Sequence, residues 1–221
     1  VLESRSRAYA EGRVRAGVLE QGTVGILDEL GLAGRLHREG VIDDGFAMRF
    51  RGKTIRIELA ELTHGRVVTI YGQQEVVRDL IAASEEAGHP VLFGAEATAI
   101  EGLDGDRPVI RFRRDGREET LECDFVAGCD GYHGVSRAAV PPQVLTTYDR
   151  LYDFAWLGVL AHSRPLPDLT YSNSDRGFAL CSSRSPQVSR LYLQVGATVD
   201  LAEWPAARFW GSIRRSLSVP P

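Results

Sequence analysis

Apolar residues recur at helical spacing in three stretches of the chain. In the first stretch Gly31 and Gly34 interrupt the pattern, which predicts a break within the helical region. The second is followed by Gly88, the residue type that most often ends a helix in the left-handed conformation. The third is amphipathic and predicts the last helix. The predicted bounds are 22–39, 74–87 and 201–217.

Alternating apolar and polar residues predict strands over much of the remaining chain. Arg51-Gly52-Lys53 joins two alternating segments, 46–51 and 54–59, and predicts a hairpin, while Asp115-Gly116 predicts a second hairpin turn. Residues 4–21 are rich in arginine and glycine and predict an extended loop instead of a helix. The other predicted strands are 67–71, 97–103, 108–114, 118–123, 151–162, 168–174, 177–183 and 188–195.

Two lobes follow from this order of elements. Helices and strands alternate before Pro141-Pro142, whereas strands dominate after it. The sequence therefore predicts a mixed α/β (α+β) chain with a domain of nucleotide-binding style at 1–142 and a sheet-rich domain at 143–221.

Composition narrows the class of protein. Hydrophobic residues make up 43% and charged residues 25%, as in a globular protein without membrane spans. A net charge of −4 argues against nucleic acid as a partner, and the longest apolar run, 154–161, is too short to cross a membrane. The three widely spaced cysteines predict neither disulfides nor a metal site, and indicate the reducing cytoplasm.

A glycine-rich segment at 128–137 is the clearest candidate for chemistry. It follows the apolar residues 125–127, which predict a strand, and it carries Asp130, Ser136 and Arg137. Glycines allow close approach of the backbone, and a helix starting near His133 would direct amide groups at phosphate. An anion-binding turn and a simple strand-ending turn both fit this segment.

Several segments together resemble the aromatic-ring flavoprotein monooxygenases, the class A FAD-dependent family. The resemblance covers essentially the whole chain, and its long strings are more specific than any short motif. They are Arg13-Val-Arg-Ala-Gly-Val-Leu-Glu-Gln-Gly22, Val68-Thr-Ile-Tyr-Gly-Gln73, Ala127-Gly-Cys-Asp-Gly-Tyr-His-Gly-Val-Ser-Arg137, Trp156-Leu-Gly158 and Arg176-Gly-Phe-Ala-Leu-Cys-Ser182.

The same resemblance indicates what these residues lack. The family begins with a Gly-x-Gly-x-x-Gly turn that holds the FAD pyrophosphate, and no such sequence occurs here. Its second flavin motif is expected downstream of Pro221. Val1-Leu2-Glu3 looks like the end of a strand, so we expect the chain to be the middle portion of a larger enzyme, with a partial Rossmann-like FAD/NAD(P)-binding domain.

The resemblance implies five residues that contact FAD. Glu3 would bond the adenosine ribose, and Arg15 would bond the pyrophosphate, with Arg13 beside it. Gln73 would contact the ribityl region, and Asp130 would contact the flavin chain and bear on the pyridine nucleotide. The alternatives are a solvated loop residue for Arg15, a helix cap for Gln73 and a turn former for Asp130.

A second set of residues would bind substrate in the sheet-rich lobe. The resemblance implies that Ser182, Arg184 and Tyr192 hold a carboxylate, that Tyr171 bonds the phenol oxygen, and that Arg190 places positive charge near the flavin. Ser182 and Arg184 differ by two and therefore share one strand face. A polar surface ladder and packing of Tyr171 are the alternatives.

Three further positions bear on the pH dependence and on the reductant. Asp43 stands where well-known family members carry a proton-relaying histidine, so the pH dependence of phenol ionisation is expected to differ. Arg5 and Arg7 stand where the family distinguishes NADPH from NADH, although solvated loop residues explain them equally well.

The function implied by the resemblance is hydroxylation of 4-hydroxybenzoate to 3,4-dihydroxybenzoate with FAD and NAD(P)H, through a flavin hydroperoxide. It also implies a homodimer that binds a small aromatic acid and O₂, without nucleic acid or membrane as a partner. The alternatives are a hydroxylase of another aromatic acid and a flavin-free truncated fragment without activity.

Overall fold

The computed structural model describes residues 1–175 and 177–218. Arg176 of the quoted family segment, and residues 219–221 of the predicted second domain, lie outside the described residues. The helices are α1 (Arg7–Gly12), α2 (Gln21–Glu29), α3 (Gly34–Glu39), α4 (Leu59–Leu62), α5 (Gln73–Glu86), α6 (Val135–Ala139) and α7 (Ala206–Leu217), with a 3₁₀ turn at Leu201–Glu203.

Fourteen strands accompany these helices in the described part of the chain. They are β1 (Leu2–Glu3), β2 (Val18–Glu20), β3 (Val41–Asp43), β4 (Gly45–Phe50), β5 (Lys53–Glu58), β6 (Val68–Ile70), β7 (Leu92–Phe93), β8 (Glu96–Glu101), β9 (Val109–Arg114), β10 (Arg117–Glu122), β11 (Phe154–His162), β12 (Leu169–Ser174), β13 (Gly177–Ser185) and β14 (Val188–Gly196). The predicted mixed α/β class is confirmed.

The chain forms two compact units, each assembled from two segments. The first unit comprises Val1–Val14 and Val77–Arg150, and the second comprises Arg15–Val76 and Leu151–Pro221. The boundary expected at Pro141-Pro142 stays a prediction.

The first unit contains a parallel β1–β7 pair and an antiparallel sheet in the order β10-β9-β8. The predicted hairpin at Asp115-Gly116 joins β9 to β10, and both turn residues have positive φ. The extended loop predicted for residues 4–21 is wrong, because this stretch forms α1 and β2. Ser6 caps α1 by accepting a hydrogen bond from the Tyr9 amide, a start signal that the arginine-rich composition obscured.

The strand predicted at residues 125–127 is also wrong. These residues have no strand assignment, and the side chain of Phe125 is 91% exposed. An apolar run becomes a strand only when a neighbouring strand pairs with it, and none of the described strands does so here.

A six-stranded sheet dominates the second unit, in the order β11-β14-β13-β12-β4-β5. Only the β12–β4 pair is parallel, and the predicted hairpin at residues 51–53 joins β4 to β5. The same unit contains the three-stranded β2-β6-β3 sheet. It also contains a separate hydrophobic core, in which residues of α2 and α3 pack on Tyr71. Gly31, with a φ of 71°, separates these two helices as predicted.

Helix α7 covers one face of the large sheet. Phe209 and Ile213 pack on Cys181, Leu191 and Leu193, which alternate along β13 and β14 with residues of the opposite face. Side chains of the sheet also bind the C-terminal end of α7. Arg49 donates to the Leu217 carbonyl at 3.0 Å, and Ser172 donates to the Ser216 carbonyl. The opposite face of the sheet is therefore the one left for a ligand.

No helix in the described part of the chain is both long and apolar enough to cross a membrane.

We predict that Cys181 resists alkylation in the native protein. Burial under α7 raises the pKa of the Cys181 thiol to about 11, so its thiolate is scarce at pH values near the ordinary thiol pKa of about 8.5. Peptide mapping after iodoacetamide treatment should find Cys129, which is exposed, modified and Cys181 intact. Denatured protein provides the control, and native labelling of both cysteines at equal rates would contradict burial of this face.

Candidate active site on the open face of the large sheet

Five predicted residues share the sheet face opposite α7. Tyr171 and Tyr192 both lie opposite Leu180, and Ser182 lies opposite Arg190, so the strand register places these side chains on one side. Arg184 is the extra residue of a bulge between Ser183 and Ser185, yet its guanidinium still reaches Ser182. All five belong to the second unit. They are Tyr171, Ser182, Arg184, Arg190 and Tyr192.

Arg184 is largely desolvated and has an unpartnered donor. Its Nη1 donates to Ser182 Oγ at 3.2 Å and to the Ser183 carbonyl at 2.9 Å. Its Nε is buried and has no hydrogen-bond partner among the described residues. Burial, followed by the nearby charge of Arg190, lowers the pKa of Arg184 below its ordinary value. A partly buried guanidinium of this kind favours an anionic partner.

Arg190 adds a second positive charge and binds the backbone of the segment that carries Arg15. Its Nη1 donates to the Arg15 carbonyl at 2.7 Å, and its Cζ lies 4.8 Å from the centroid of the Tyr192 ring. Its Nε is also shielded from solvent and unpartnered among the described residues. Arg190 thus links β14 to the segment that carries Arg15.

The ring of Tyr192 lies over the neighbouring strand β11. A Cβ atom at Gly158, which faces Tyr192 in the register, would lie 3.1 Å from the Tyr192 Cε1 atom. The glycine therefore lets the ring lie close to the backbone, while Arg190 stacks on it.

Tyr171 stands in an aromatic environment. Its ring centroid lies 5.4 Å from that of Phe46 and 6.1 Å from that of Phe178. Partial burial raises the pKa of the Tyr171 hydroxyl. The phenol is consequently neutral at physiological pH and can donate a hydrogen bond to an oxyanion.

The segment around Arg15 lies beside Gln73. The backbone amide of Gln73 donates to the Ala16 carbonyl at 2.9 Å. Ala16 is next to Arg15, whose side chain is exposed. Sequence reasoning missed Gln74, whose Oε1 is buried and unpartnered among the described residues. A cation, two amides and an unsatisfied buried oxygen suit the diphosphate and hydroxyl groups of a flavin dinucleotide.

The other predicted cofactor residues belong to the first unit. Glu3 Oε1 accepts from the Arg5 amide at 2.7 Å, and the Arg13 guanidinium lies 5.4 Å from the Tyr9 ring centroid. Asp130 is exposed and accepts from the Ser136 amide at 2.9 Å, which lowers the pKa of its carboxyl group. Helix α6 begins at Val135 and has only five residues, so the helix dipole proposed for this turn is short.

Asp43 ends β3 and is partly buried. Its carboxylate accepts from the Gly45 amide at 3.3 Å and also from the Leu169 amide. Burial raises the pKa of Asp43, and these two amides oppose that rise. Its hydrogen bond with Leu169, the first residue of the strand that carries Tyr171, is compatible with the proton-relay prediction, which stays a prediction.

The arrangement can therefore hold an aromatic anion. Two guanidinium groups and a serine hydroxyl are available for a carboxylate, and Tyr171 for a phenol oxygen, on a face that also presents aromatic rings. No cluster of potential metal ligands occurs in the part of the chain that the structure describes.

Comparison with known proteins identifies the class. The sequence profile of the FAD binding domain family matches residues 1–219, so the chain belongs to that family. Among individual relatives, the p-hydroxybenzoate hydroxylase of Acinetobacter baylyi is 41% identical over 218 residues. The match covers 98% of this chain and 54% of that protein, so the chain spans just over half the length of this relative.

Solved structures share the fold. The p-nitrophenol 4-monooxygenase PnpA of Pseudomonas putida matches with a TM-score of 0.76 at 17% identity, over 100% of this chain and 57% of its own. The flavin-dependent halogenase CmlS matches with a TM-score of 0.74 at 20% identity, over 97% of this chain and 40% of its own. The predicted family and fold class are confirmed.

We predict that Tyr171 ionises at a higher pH than an exposed tyrosine. Burial favours the neutral phenol, so its deprotonation moves above the ordinary value of about 10. An ultraviolet titration should show that Tyr171→Phe removes a late-titrating group. The control Tyr148→Phe changes a residue that is 91% exposed and should leave the late-titrating group in place. A late-titrating group that persists in Tyr171→Phe would contradict the burial of Tyr171.

Proposed function

We propose that this chain forms the substrate site of an FAD- and NAD(P)H-dependent hydroxylase that converts 4-hydroxybenzoate to 3,4-dihydroxybenzoate. The observation that carries the proposal is the buried guanidinium of Arg184, which has an unpartnered Nε and lies on the same sheet face as Tyr171. The relative from Acinetobacter baylyi, named for p-hydroxybenzoate, supports the choice of substrate.

The strand geometry is compatible with a para-substituted acid. Tyr171 lies opposite Leu180, and Ser182 lies two residues farther along β13, so the two side chains share a face but are offset from each other along and across the strands. Polar groups at opposite ends of a ligand could therefore contact different residues of this face. Arg184 and Ser182 would hold the carboxylate, with Tyr192 beside them, and Tyr171 would donate to the phenol oxygen.

The roles of the residues follow from charge. A phenolate is more nucleophilic at the ring carbon beside its oxygen, and a hydrogen bond from Tyr171 would stabilise that form. Arg190 would favour negative charge on the reduced cofactor. FAD, when bound, supplies the oxygen chemistry that side chains lack. Overall, one atom of O₂ enters the ring, the other leaves as water, and NAD(P)H provides two electrons.

In the second unit, Arg15, Gln73 and Gln74 would contact FAD. In the first unit, the resemblance implies that Glu3, Arg13 and Asp130 contact FAD. The absorbance spectrum of the purified intact protein, before and after adding FAD, tests this proposal. Flavin absorbance that stays with the protein is expected. A protein that never retains flavin would support the flavin-free alternative instead.

The different pairing of Arg5 and Arg7 supports NADPH as the reductant. Arg7 is already paired with Glu11 and Glu85, at 2.6 Å each. Arg5 has no ion pair among the described residues, and its Cζ lies 5.4 Å from the Tyr9 ring centroid. Of the two predicted arginines, Arg5 is thus the one available to a 2′-phosphate.

We propose that the protein is a homodimer, as the family resemblance implies. We also propose that it is cytoplasmic, because its three cysteines are free. Light scattering tests the dimer.

We predict that Arg184→Met weakens binding of 4-hydroxybenzoate by about 10- to 100-fold, since it removes charge-assisted hydrogen bonds to the carboxylate. Substrate-stimulated NAD(P)H oxidation and calorimetric titration measure the effect, and chromatography identifies the product. Arg164→Met, at an exposed arginine of the same unit, is the control. Unchanged stimulation in Arg184→Met would contradict the carboxylate assignment, and stronger stimulation of the wild type by another aromatic acid would favour the alternative hydroxylase.

We predict that Arg5→Gln raises the KM for NADPH about tenfold and leaves the KM for NADH nearly unchanged, because only NADPH carries the 2′-phosphate. Arg7→Gln serves as the matched comparison and should leave the ratio of the two KM values as it is. An equal change for both reductants in Arg5→Gln would exclude a contact with the 2′-phosphate.

A further inference from the structure

Gly17 is buried against the guanidinium of Arg184. A Cβ atom at this position would lie 2.9 Å from both Cζ and Nε of Arg184, and 3.3 Å from its Cδ. These distances are inside normal carbon contact, so any side chain at position 17 requires the guanidinium to move. The φ of Gly17 lies outside the left-handed region. Glycine is therefore required at position 17 because of the limited space and not because of the backbone conformation.

Both partners of this contact are held in place. The Gly17 carbonyl accepts from the Tyr71 amide at 3.0 Å, and the adjacent Ala16 carbonyl accepts from the Gln73 amide at 2.9 Å. On the other side, Nη1 of Arg184 is bonded to Ser182 and to the Ser183 carbonyl. A methyl group at position 17 could therefore be accommodated only at the expense of the Arg184 position.

The part of Arg184 that would be displaced includes its unpartnered donor, Nε. Nε is the donor without a partner among the described residues, and it is also one of the two atoms nearest to the missing Cβ. A shift of the guanidinium would misdirect this donor, and charge-assisted hydrogen bonds depend on their direction as well as on distance.

We propose that Gly17 is a positioning residue that determines specificity for a carboxylate, because the absence of a side chain at position 17 leaves room for the Arg184 guanidinium. The inference rests on the proposed function in one respect, namely that Arg184 binds the substrate carboxylate. Gly17 itself acts through Arg184 and contacts no reacting atom in this role.

The chain offers a matched control for a glycine-to-alanine exchange. Gly22 lies in α2 of the same unit, and a Cβ atom there would have no neighbour within 4 Å. Gly22→Ala therefore adds the same methyl group without displacing Arg184.

The test compares two ligands in the intact protein. Calorimetry gives the Kd of 4-hydroxybenzoate and of 4-methylphenol, which keeps the phenol but lacks the carboxylate. Gly17→Ala should raise the first Kd about tenfold or more and change the second by less than about twofold. In an Arg184→Met background, Gly17→Ala should have no further effect on either, and Gly22→Ala should leave both unchanged in every background.

A crystal structure of Gly17→Ala tests the steric step without a ligand. Displacement of Arg184 Cζ supports the proposal, even if the wild type fails to bind 4-hydroxybenzoate and the proposed function falls. An unmoved guanidinium overturns the proposal, as does an unchanged Kd ratio in a wild-type background that binds the acid. Equal losses with and without Arg184 would also overturn it, because the effect would not pass through that residue.

Discussion

The desolvated charge of Arg184 is the constraint on which the second unit depends. A partly buried guanidinium without an anion is costly, and the described residues offer the Arg184 guanidinium a serine hydroxyl and a carbonyl as hydrogen-bond acceptors. The nearby charge of Arg190 increases this cost. A carboxylate would offset both, so the proposed substrate would relieve an unfavourable electrostatic feature of this sheet face.

The two-sided sheet makes that arrangement possible. One face of β13 and β14 packs under α7 and supplies stability through Cys181, Leu191 and Leu193. The alternate positions of the same strands are therefore free to carry charge and hydroxyl groups. The bulge at Arg184 interrupts the register just where a long cationic side chain has to bend back toward Ser182. Stability and chemistry are thus assigned to opposite faces of the same strands.

Sequence patterns predicted the regular elements better than the contacts between them. The β4–β5 hairpin, helix α5 and the strands of the large sheet were predictable, because local periodicity determines them. Helix α1 was missed because a single serine cap outweighs an arginine-rich composition, and residues 125–127 were wrongly assigned because a strand needs a partner. The resemblance indicated Arg184 and Tyr192 as site residues. The closeness of Gly17 to Arg184 was not predictable, since the two are far apart in sequence and a glycine leaves no side-chain pattern.

Fold alone does not select the reaction. A p-nitrophenol 4-monooxygenase and a flavin-dependent halogenase match this chain with nearly equal TM-scores at 20% identity or less, so the shared framework is compatible with different chemistries. The side chains on the open sheet face, and the space around them, are therefore more informative about chemistry than the fold is. In this chain those are a cation that needs an anion, a neutral phenol in an aromatic environment, and glycines that let Arg184 and Tyr192 lie against the backbone. Together they are the features on which the proposal of a phenolic carboxylic acid as the substrate rests.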